Sequence, residues 1–447
     1  AKHRASFTGW YQKFIDSPDI LNNGDPTFPG FPNWADDLSG RFQFSASVRS
    51  VFTANMVNEV RLGGSGGRIR FFPRVSYADF VGPVANQGGF SLGLPNISGA
   101  TTSSGNNWRN APSYTVEDTL SWIRGAHSMT IGASLTQVYY TTWSKTYVPS
   151  ISMGIDTADP GLAYFDTYKA INFPGISSTS LSYARNLFAL LTGRVTAINA
   201  TSYLDEATNQ YAYLGQRLRK SSQREFGFYW QDAWKMRPDL TLNFGLRYEL
   251  QLPFKALTSG WAYATREDIA GLSGLDSSGN FNLFKPGTLT GRIPQYYQLK
   301  SGSDGYNLDT NNLAPSVGVA YKMPTPGGWL KRILGEDPVL RAGYSLAYTR
   351  DDLAQYSGIF ESNPGAYITT NRNMTLNNLL RPGETLPVLF RDRGRLGPPD
   401  FDPNPHFPMT GLVTNAVYVI DPDYTVPYAH TFSGGLQRAL TKNTVVE

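Results

Sequence analysis

The sequence predicts an all-β protein, an antiparallel transmembrane β-barrel. Three observations indicate this fold: apolar and polar residues alternate along extended segments, short turns alternate with long connections, and aromatic residues mark both ends of the segments. The segments span about 9 to 11 residues, the length of a tilted strand that crosses a bilayer and longer than the usual strand of a soluble sheet. We expect about a dozen such strands in this chain.

The alternation is clearest from Leu240 to Leu250. Every second residue there is apolar, and the residues between are Thr, Asn, Gly, Arg and Glu. Because successive side chains of a strand point to opposite faces, such a segment has one apolar and one polar face. Asp118 interrupts one apolar row. The same pattern extends over residues 42–48, 114–122, 129–135 and 340–348.

The connections between these segments differ in length. In outer-membrane barrels, short turns face the periplasm and long loops face outside, so the connections predict short periplasmic turns and long extracellular loops in a bacterial outer membrane. Short turns are expected near residues 51–55, 124–128, 236–239 and 439–443, with a longer one at 324–338. Long stretches rich in Gly, Pro, Asn, Ser and aromatic residues lie at 15–40, 63–113, 140–193, 251–313 and 350–428.

Aromatic residues lie at both ends of the expected strands. Amphipathic rings are favoured at the two headgroup layers, so we expect two interface girdles that contact outer-membrane lipid. A soluble β-sandwich or propeller would explain the alternation but neither the strand length nor the loop asymmetry. Trp122 and Trp234 precede short turns, and Tyr139, Tyr140, Trp143, Tyr248 and Tyr348 lie toward the long loops.

The second face of the strands carries Thr, Ser, Asn, Gly, Arg and Glu. Such a face requires water or a polar filling, and we expect it to line a lumen. Backbone groups in lipid have no solvent partners, so the sheet is expected to close on itself.

Composition excludes several function classes. Charged residues make up 17% of the chain and the net charge of +4 forms no basic arm, so no nucleic-acid partner is expected. The absence of cysteine and the wide separation of the four histidines exclude disulfides, thiolate chemistry and the usual zinc spacings. We predict no catalytic, cofactor or metal site, and therefore no enzyme.

Aromatic residues outside the periodic segments are the candidate ligand contacts. They could stack on a sugar ring, a siderophore or an aromatic ligand, since loops on a rigid scaffold are a usual place for binding. Packing of the loops among themselves is the simpler alternative. The candidates are Trp108, Trp261, Tyr296, Tyr297 and Tyr306.

Three other features have a plain structural interpretation. The glycine-rich run at 63–67 lacks the GK[ST] ending of a phosphate-binding loop, so we expect a flexible loop at a strand end. Asp351, Asp352 and Glu361 could serve as the paired carboxylates of a glycosidase, although surface carboxylates are the default expectation. Residues 184–191 predict a short helix or a loop plug.

A sequence resemblance supports the predicted barrel. Residues 226–249 read FGFYWQDAWKMRPDLTLNFGLRYE. An aromatic strand that ends in Gln-Asp-Ala-Trp-Lys, a turn at Pro238 and a return strand with Gly-Leu-Arg-Tyr-Glu resemble the barrel signature of TonB-dependent receptors, especially the subgroup with an N-terminal carboxypeptidase-regulatory-like domain. Further stretches similar to the same family are residues 57–63, 122–128, 312–318, 340–344 and 435–440.

The resemblance implies a receptor that takes up a scarce nutrient through a plugged barrel of roughly 22 strands. TonB would pull on a segment ahead of the plug. Neither the plug nor that segment is recognisable, so we expect residues 1–447 to be part of one outer-membrane barrel domain and a piece of a longer chain. A complete small barrel, a passive porin or structural barrel, and a secreted β-rich carbohydrate-binding protein or glycosidase stay open. The substrate could be a small molecule, a peptide or an oligosaccharide.

Overall fold

The computed structural model describes residues 2–19, 35–73, 77–81, 88–97, 105–282, 289–324, 327–329, 334–441 and 444–446. The strands are β1 His3–Asp16, β2 Ala35–Thr53, β3 Met56–Pro73, β4 Ser91–Gly93, β5 Gly105–Asn110, β6 Ser113–Arg124, β7 His127–Thr146, β8 Ser150–Met153, β9 Val195–Asn199, β10 Thr201–Leu204, β11 Tyr211–Tyr213, β12 Arg217–Arg237, β13 Leu240–Gln251, β14 Lys255–Ala256, β15 Trp261–Tyr263, β16 Gln295–Leu299, β17 Leu313–Lys322, β18 Glu336–Tyr348, β19 Tyr367–Thr369, β20 Arg372–Asn373, β21 Met409–Thr410, β22 Tyr428–Thr441 and β23 Thr444–Val446. The α-helices are α1 Tyr77–Val81, α2 Lys169–Asn172, α3 Ser178–Thr192, α4 Arg266–Ala270 and α5 Leu353–Ser362, and short 3-10 helices span Pro160–Tyr164, Gly271–Ser273 and Arg393–Arg395.

Thirteen strands form one antiparallel sheet, which we call the wall. Its order is β1-β2-β3, then β5 with β6, then β7-β12-β13-β17-β18-β22-β23, and β14 pairs with the end of β12. β5 and β6 act as one interrupted strand, because both pair with β3 and with β7. The predicted all-β antiparallel fold and its dozen or so strands are confirmed.

The wall has short turns on one side and long connections on the other. Two-residue turns join β2 to β3 at 54–55, β6 to β7 at 125–126 and β12 to β13 at 238–239. Gly125 has a φ of 59°, a left-handed conformation that glycine adopts without strain. The predicted loop asymmetry is confirmed at these turns, while residues 442–443 and part of 324–338 lie outside the described residues.

Each wall strand has two chemically different faces. We call the face that carries Phe228 the apolar face and the one that carries Tyr229 the polar face. On the apolar face, Phe228, Leu246 and Val317 are 52%, 46% and 55% exposed. No second layer formed by the described residues covers these side chains, which a soluble sandwich would require. No helix among the described residues is long and apolar enough to span a membrane.

β1 and β23 are the edges of the wall. Within the described residues, β1 pairs with β2 alone and β23 with β22 alone. The expected closure of the sheet on itself is therefore not observed in this part of the chain.

The glycine-rich run at 63–67 is not the flexible loop that its composition predicts. It lies inside β3 and pairs with β2 throughout and with β6 as far as Ser65. A Cβ atom on Gly64 would lie 2.5 Å from the ring of Phe44, so glycine leaves room for the aromatic side chain of the next strand. Because glycines show no alternation, periodicity could not reveal this strand.

The long connections pack into a layer, here called the loop layer, formed by residues 88–97, 147–216, 252–312 and 349–427 as far as they are described. It contains three small sheets, β11-β10-β19, β15-β16-β21 and β20-β9-β8-β4. One apolar cluster centres on Phe254, Trp261 and Phe360, and another on Ile151 and Ile198. The loop layer therefore has cores of its own, separate from the exposed apolar face of the wall.

The predicted helix at 184–191 is confirmed as part of α3. The side chain of Ser177 accepts a 3.1 Å hydrogen bond from the Ser180 amide and caps the first turn. Gly193 ends the helix with a left-handed φ of 68°, which lets the chain turn back without strain. Local signals at both ends thus set the limits of this helix.

Candidate functional site

Charged residues on the polar face form pairs of opposite sign. Arg61 Nε lies 2.9 Å from Glu59 Oε1, and Glu117 of β6 is the register partner of Arg61. Farther along the wall, Arg247 forms an ion pair with Glu249. The two arginine side chains are 58% and 44% exposed, so these pairs are in contact with solvent. The polar face therefore presents the hydrated, charged surface expected of a lumen.

On the polar face, Tyr229 connects its own strand, β12, to three other strands. Its ring crosses Gly132 of β7, where a Cβ atom would lie 2.4 Å from the ring. Its hydroxyl is 2.9 Å from the hydroxyl of Thr119 on β6. The guanidinium of Arg247 lies 5.9 Å from the ring centroid. The glycine thus allows one aromatic side chain to join β6, β7, β12 and β13 through its contacts.

The loop layer is attached to the polar face by α5. The hydroxyls of Ser357 on α5 and Ser221 on β12 are 3.0 Å apart and buried. Glu361 of the same helix forms ion pairs with Arg217 and, at 4.0 Å, with Arg219. Since Arg217, Arg219 and Ser221 alternate along β12, all three project from the polar face. The helix therefore covers the polar face at the long-loop end.

Arg219 is the most enclosed cation of this junction. Its side chain is 1% exposed, donates a 3.0 Å hydrogen bond to the Ala366 carbonyl and lies 5.7 Å from the ring of Trp261. A buried guanidinium requires such compensation, because an unpaired buried charge is costly. Arg219 therefore links the wall, α5 and the aromatic cluster of the loop layer.

Three tyrosines surround one carboxylate in the loop layer. The hydroxyl of Tyr356 donates a 2.9 Å hydrogen bond to Asp351 Oδ2, and the hydroxyl of Tyr424 donates a shorter one to the same oxygen. Tyr306 packs against both rings. Burial, together with the bond to Asp351, raises the pKa of Tyr424 to about 12, and burial followed by the contact with Tyr424 raises the pKa of Tyr356 as well. These phenols therefore stay protonated as donors.

A cavity of about 780 Å³ lies between the end of β12 and the loop layer. Three cations, Arg224, Lys255 and Lys300, line it, and its one acidic lining residue, Asp304, forms a 3.5 Å ion pair with Lys255. The rest of the lining consists of Tyr263, Tyr306 and Phe360, several aliphatic side chains and uncharged polar residues. This combination suits a ligand that carries negative charge beside an apolar part.

The structure separates the five candidate ligand aromatics. Trp261 and Tyr296 are 1% and 0% exposed, so their rings contact protein. Tyr297 stacks on Tyr263 and lines a second cavity of about 320 Å³, and Tyr306 lines the larger cavity. Trp108 lies on the wall, where it stacks on Trp143. Ligand contact stays a prediction, and only Tyr297 and Tyr306 among the five line a cavity described here.

The girdle candidates fall on both faces of the wall. Tyr139 and Tyr140 are neighbours and project to opposite sides, and Tyr140 packs against the aromatic cluster of the loop layer. Because neighbouring residues of a strand project to opposite faces, Tyr140 does not lie on the apolar face and is not part of a girdle there. The membrane contact of the other candidates stays a prediction. The strand register places the following candidates on the apolar face: Trp122, Trp234, Tyr139, Trp143, Tyr248 and Tyr348.

The three candidate carboxylates have structural roles. Asp351 accepts the tyrosine hydrogen bonds, Asp352 caps α5 through a 2.9 Å bond from the Ala354 amide, and Glu361 binds Arg217. Among the residues that the structure describes, no cluster of three or more His, Asp or Glu side chains could hold a metal ion. Arg219 is not among the site residues that the sequence predicts, although the alternation of Arg217 and Arg219 in β12 is visible in the sequence.

Comparison with solved structures finds remote likenesses, and a comparison with curated proteins finds no match. The outer membrane transporter YddB from Escherichia coli is 10% identical with a TM-score of 0.39, over 99% of this chain and 36% of that one. The ferric-catecholate import receptor Fiu from E. coli K12 is 10% identical with a TM-score of 0.32, over 78% and 41% of the chains. The ferric preacinetobactin receptor BauA from Acinetobacter baumannii is 10% identical with a TM-score of 0.27, over 78% and 45%. This chain thus spans less than half the length of each.

A family model described as "Outer membrane beta barrel domain" matches residues 1–447. The match covers the whole wall and the loop layer. It agrees with the exposed apolar face, the charged polar face and the long loops on one side of the sheet. The chain therefore belongs to the outer membrane β-barrel domain family and is a protein of the bacterial outer membrane.

Proposed function

We propose that this chain is the barrel part of a TonB-dependent receptor, of the subgroup with a regulatory-like N-terminal domain, and that it takes up a scarce nutrient without covalent chemistry. One observation carries the proposal: α5 and its ion pairs attach the loop layer to the polar face at the long-loop end. An unobstructed lumen would favour a passive pore. Ordered loops attached over the polar face favour a receptor that holds its solute before energised uptake.

The cavity beside Arg224, Lys255 and Lys300 is the candidate site of solute capture. Its cations and aliphatic side chains favour a solute with an anionic group, and Tyr306 offers a ring edge or hydroxyl. The edges of the wall at β1 and β23 support the further proposal that additional strands complete the barrel. The sequence resemblance to TonB-dependent receptors is the ground for proposing that a plug and a TonB-contacting segment belong to the same receptor.

Solute accumulation in intact cells tests the proposal. Cells that carry the whole gene product are offered ferric siderophores, cobalamin, oligosaccharides and peptides, with TonB present or deleted. We expect one class to accumulate only when TonB and the proton gradient are intact. Uptake that persists without TonB and scales with solute size in liposome swelling would identify a passive porin instead.

A further inference from the structure

A further cavity of about 320 Å³ lies in the loop layer, at the end of β7. It forms where the chain turns from β9 into β10, two strands that are separated by Ala200 alone. We call it the uncharged cavity, since none of the described residues that line it carries a charge. Thr146, the last residue of β7, lines it and has the strand phase of the polar face, so the cavity lies on that side of the wall.

Two cross-strand pairs from different small sheets supply polar groups to the uncharged cavity. Ser150 of β8 pairs with Asn199 of β9. Thr201 of β10 pairs with Thr369 of β19, and these two residues also line the cavity. Residues that lie opposite each other on neighbouring strands have their side chains on the same face. Each pair therefore directs two polar side chains to one place.

Hydrogen bonds fix the corner between the two pairs. The Ala200 amide donates a 2.9 Å hydrogen bond to Asn371 Oδ1, and the Ala200 carbonyl accepts a 2.9 Å bond from the Thr370 amide. Asn371 lines the cavity as well, and among the described residues its Nδ2 group has no acceptor. A site whose polar groups are held in place before binding loses less conformational entropy when a ligand arrives.

The hydroxyl groups around the uncharged cavity are available to a ligand. Within the part of the chain that the structure describes, the side chains of Ser150, Thr201, Tyr203 and Thr369 have no hydrogen-bond partner. Their oxygens are not enclosed by protein, so water reaches them. Because a hydroxyl both donates and accepts, a group of hydroxyls complements a ligand whose own hydroxyls do the same.

The lining disfavours a charged ligand and offers an aromatic ring. A charged group would lose hydration on entering, and no described lining residue carries an opposite charge to compensate it. Tyr203 supplies the ring, which lies 5.9 Å from the ring of Tyr367 between centroids. Burial raises the pKa of the Tyr203 hydroxyl, so this phenol is neutral. The electron-rich face of such a ring attracts the C–H groups of a sugar.

We propose that the uncharged cavity binds one unit of a neutral sugar. Its volume lies at the lower end of the range of about 300–1,000 Å³ that is usual for ligand pockets, which suits a single ring. A peptide group has one fixed donor and one fixed acceptor, so it matches a set of hydroxyls less well. The uncharged cavity shares no lining residue with the cavity of about 780 Å³ that carries the cations, so the two sites are separate.

Saturation-transfer difference NMR on the purified full chain, in a detergent without sugar head groups, tests the proposal. The probes are glucose, galactose, mannose and maltose, and glucuronate and galacturonate are their charged counterparts. We expect at least one neutral probe to receive saturation and the two uronates to receive none. The measurement requires no TonB, so its outcome is independent of the uptake proposed above.

The double substitution Thr201→Val and Thr369→Val removes two hydroxyls while it keeps the shape and the strand preference of both residues. We expect it to weaken binding of the neutral probe roughly fivefold or more. Tyr203→Leu, which removes the ring, should weaken binding as well. Thr410→Val is the matched control, since Thr410 is an exposed strand residue of the loop layer that does not line this cavity, and it should leave binding unchanged.

Three results would overturn the proposal. The first is that no neutral probe receives saturation from the wild-type protein, as expected of a cavity that holds only water. The second is that the uronates bind as tightly as the neutral sugars. The third is undiminished binding in the double valine variant or in Tyr203→Leu.

Discussion

His127 and Asp232 form a 2.6 Å hydrogen bond between Nδ1 and Oδ2 on the apolar face, close to the short turns. The carboxylate is 3% exposed, and the imidazole stacks on Trp234 with the ring centroids 5.4 Å apart. An acidic side chain in this row is costly unless it is paired. The imidazole and the neighbouring indole together allow the row of Phe228 and Trp230 to include an aspartate.

Substitution of His127 by alanine is expected to destabilise the protein by roughly 1–3 kcal/mol, because Asp232 would lose its partner while still buried. Denaturant-induced unfolding from lipid vesicles measures this change. His127→Ala in an Asp232→Ala background should cost much less. If the cost were the same in both backgrounds, the hydrogen bond would not be the cause.

The contact of Tyr229 with Gly132 predicts an overpacking effect. Gly132→Val would place carbon atoms where the ring of Tyr229 lies, at 2.4 Å, and break its bond to Thr119. We expect a loss of roughly 1–3 kcal/mol in the free energy of unfolding. Gly434→Ala is the control, since nothing lies within 4 Å of its Cβ position. A smaller effect at Gly132 than at Gly434 would contradict this packing.

Arg219 is expected to hold the loop layer on the wall. Arg219→Met would leave Glu361 with one cation and remove the hydrogen bond to Ala366. We expect this to destabilise the attachment of the loop layer to the wall by roughly 3 kcal/mol. Limited proteolysis should then cleave residues 349–427 faster while the wall stays intact. Arg391→Met, at a side chain that is 80% exposed, is the matched control. Unchanged cleavage in Arg219→Met would show that other contacts hold the layer.

The tyrosines around Asp351 predict a loss of stability at high pH. The pKa of Tyr424 is raised to about 12, against about 10 in an unfolded chain. The protonated phenol is therefore favoured in the folded layer, and its contribution is complete below about pH 10 and lost as the pH approaches 12. Protease susceptibility of the loop layer should rise over this interval, and Tyr424→Phe should flatten the rise. A rise of equal steepness in that variant would exclude Tyr424 as its source.

The sequence predicts the wall well because alternation is a local property of a strand. It fails at 63–67, where glycine removes the alternating side chains and the space is filled by Phe44 of another strand. It also assigns Tyr140 to a girdle, although strand alternation sends it to the opposite face from Tyr139. The register supplies that distinction.

The loop layer could not be predicted in the same way. The contacts that define it, such as Arg219 with Ala366 or Ser221 with Ser357, join residues more than a hundred positions apart. Packing of the loops among themselves is the simpler interpretation of the aromatic residues outside the periodic segments, and the burial of Trp261 and Tyr296 agrees with it. Whether one of these aromatic residues lines a cavity depends on contacts between residues that are far apart in the sequence, and no local sequence pattern indicates such contacts.

The apolar face of the wall is expected to contact lipid and the polar face to contact water, and the absence of cysteine permits a direct measurement. Single cysteines at Phe228, Tyr229, Leu246 and Arg247, labelled with a fluorophore in reconstituted vesicles, can be quenched by spin-labelled lipid or by aqueous iodide. We expect lipid quenching at Phe228 and Leu246 and iodide quenching at Tyr229 and Arg247. Iodide quenching at all four positions, without alternation, would contradict a membrane-embedded wall.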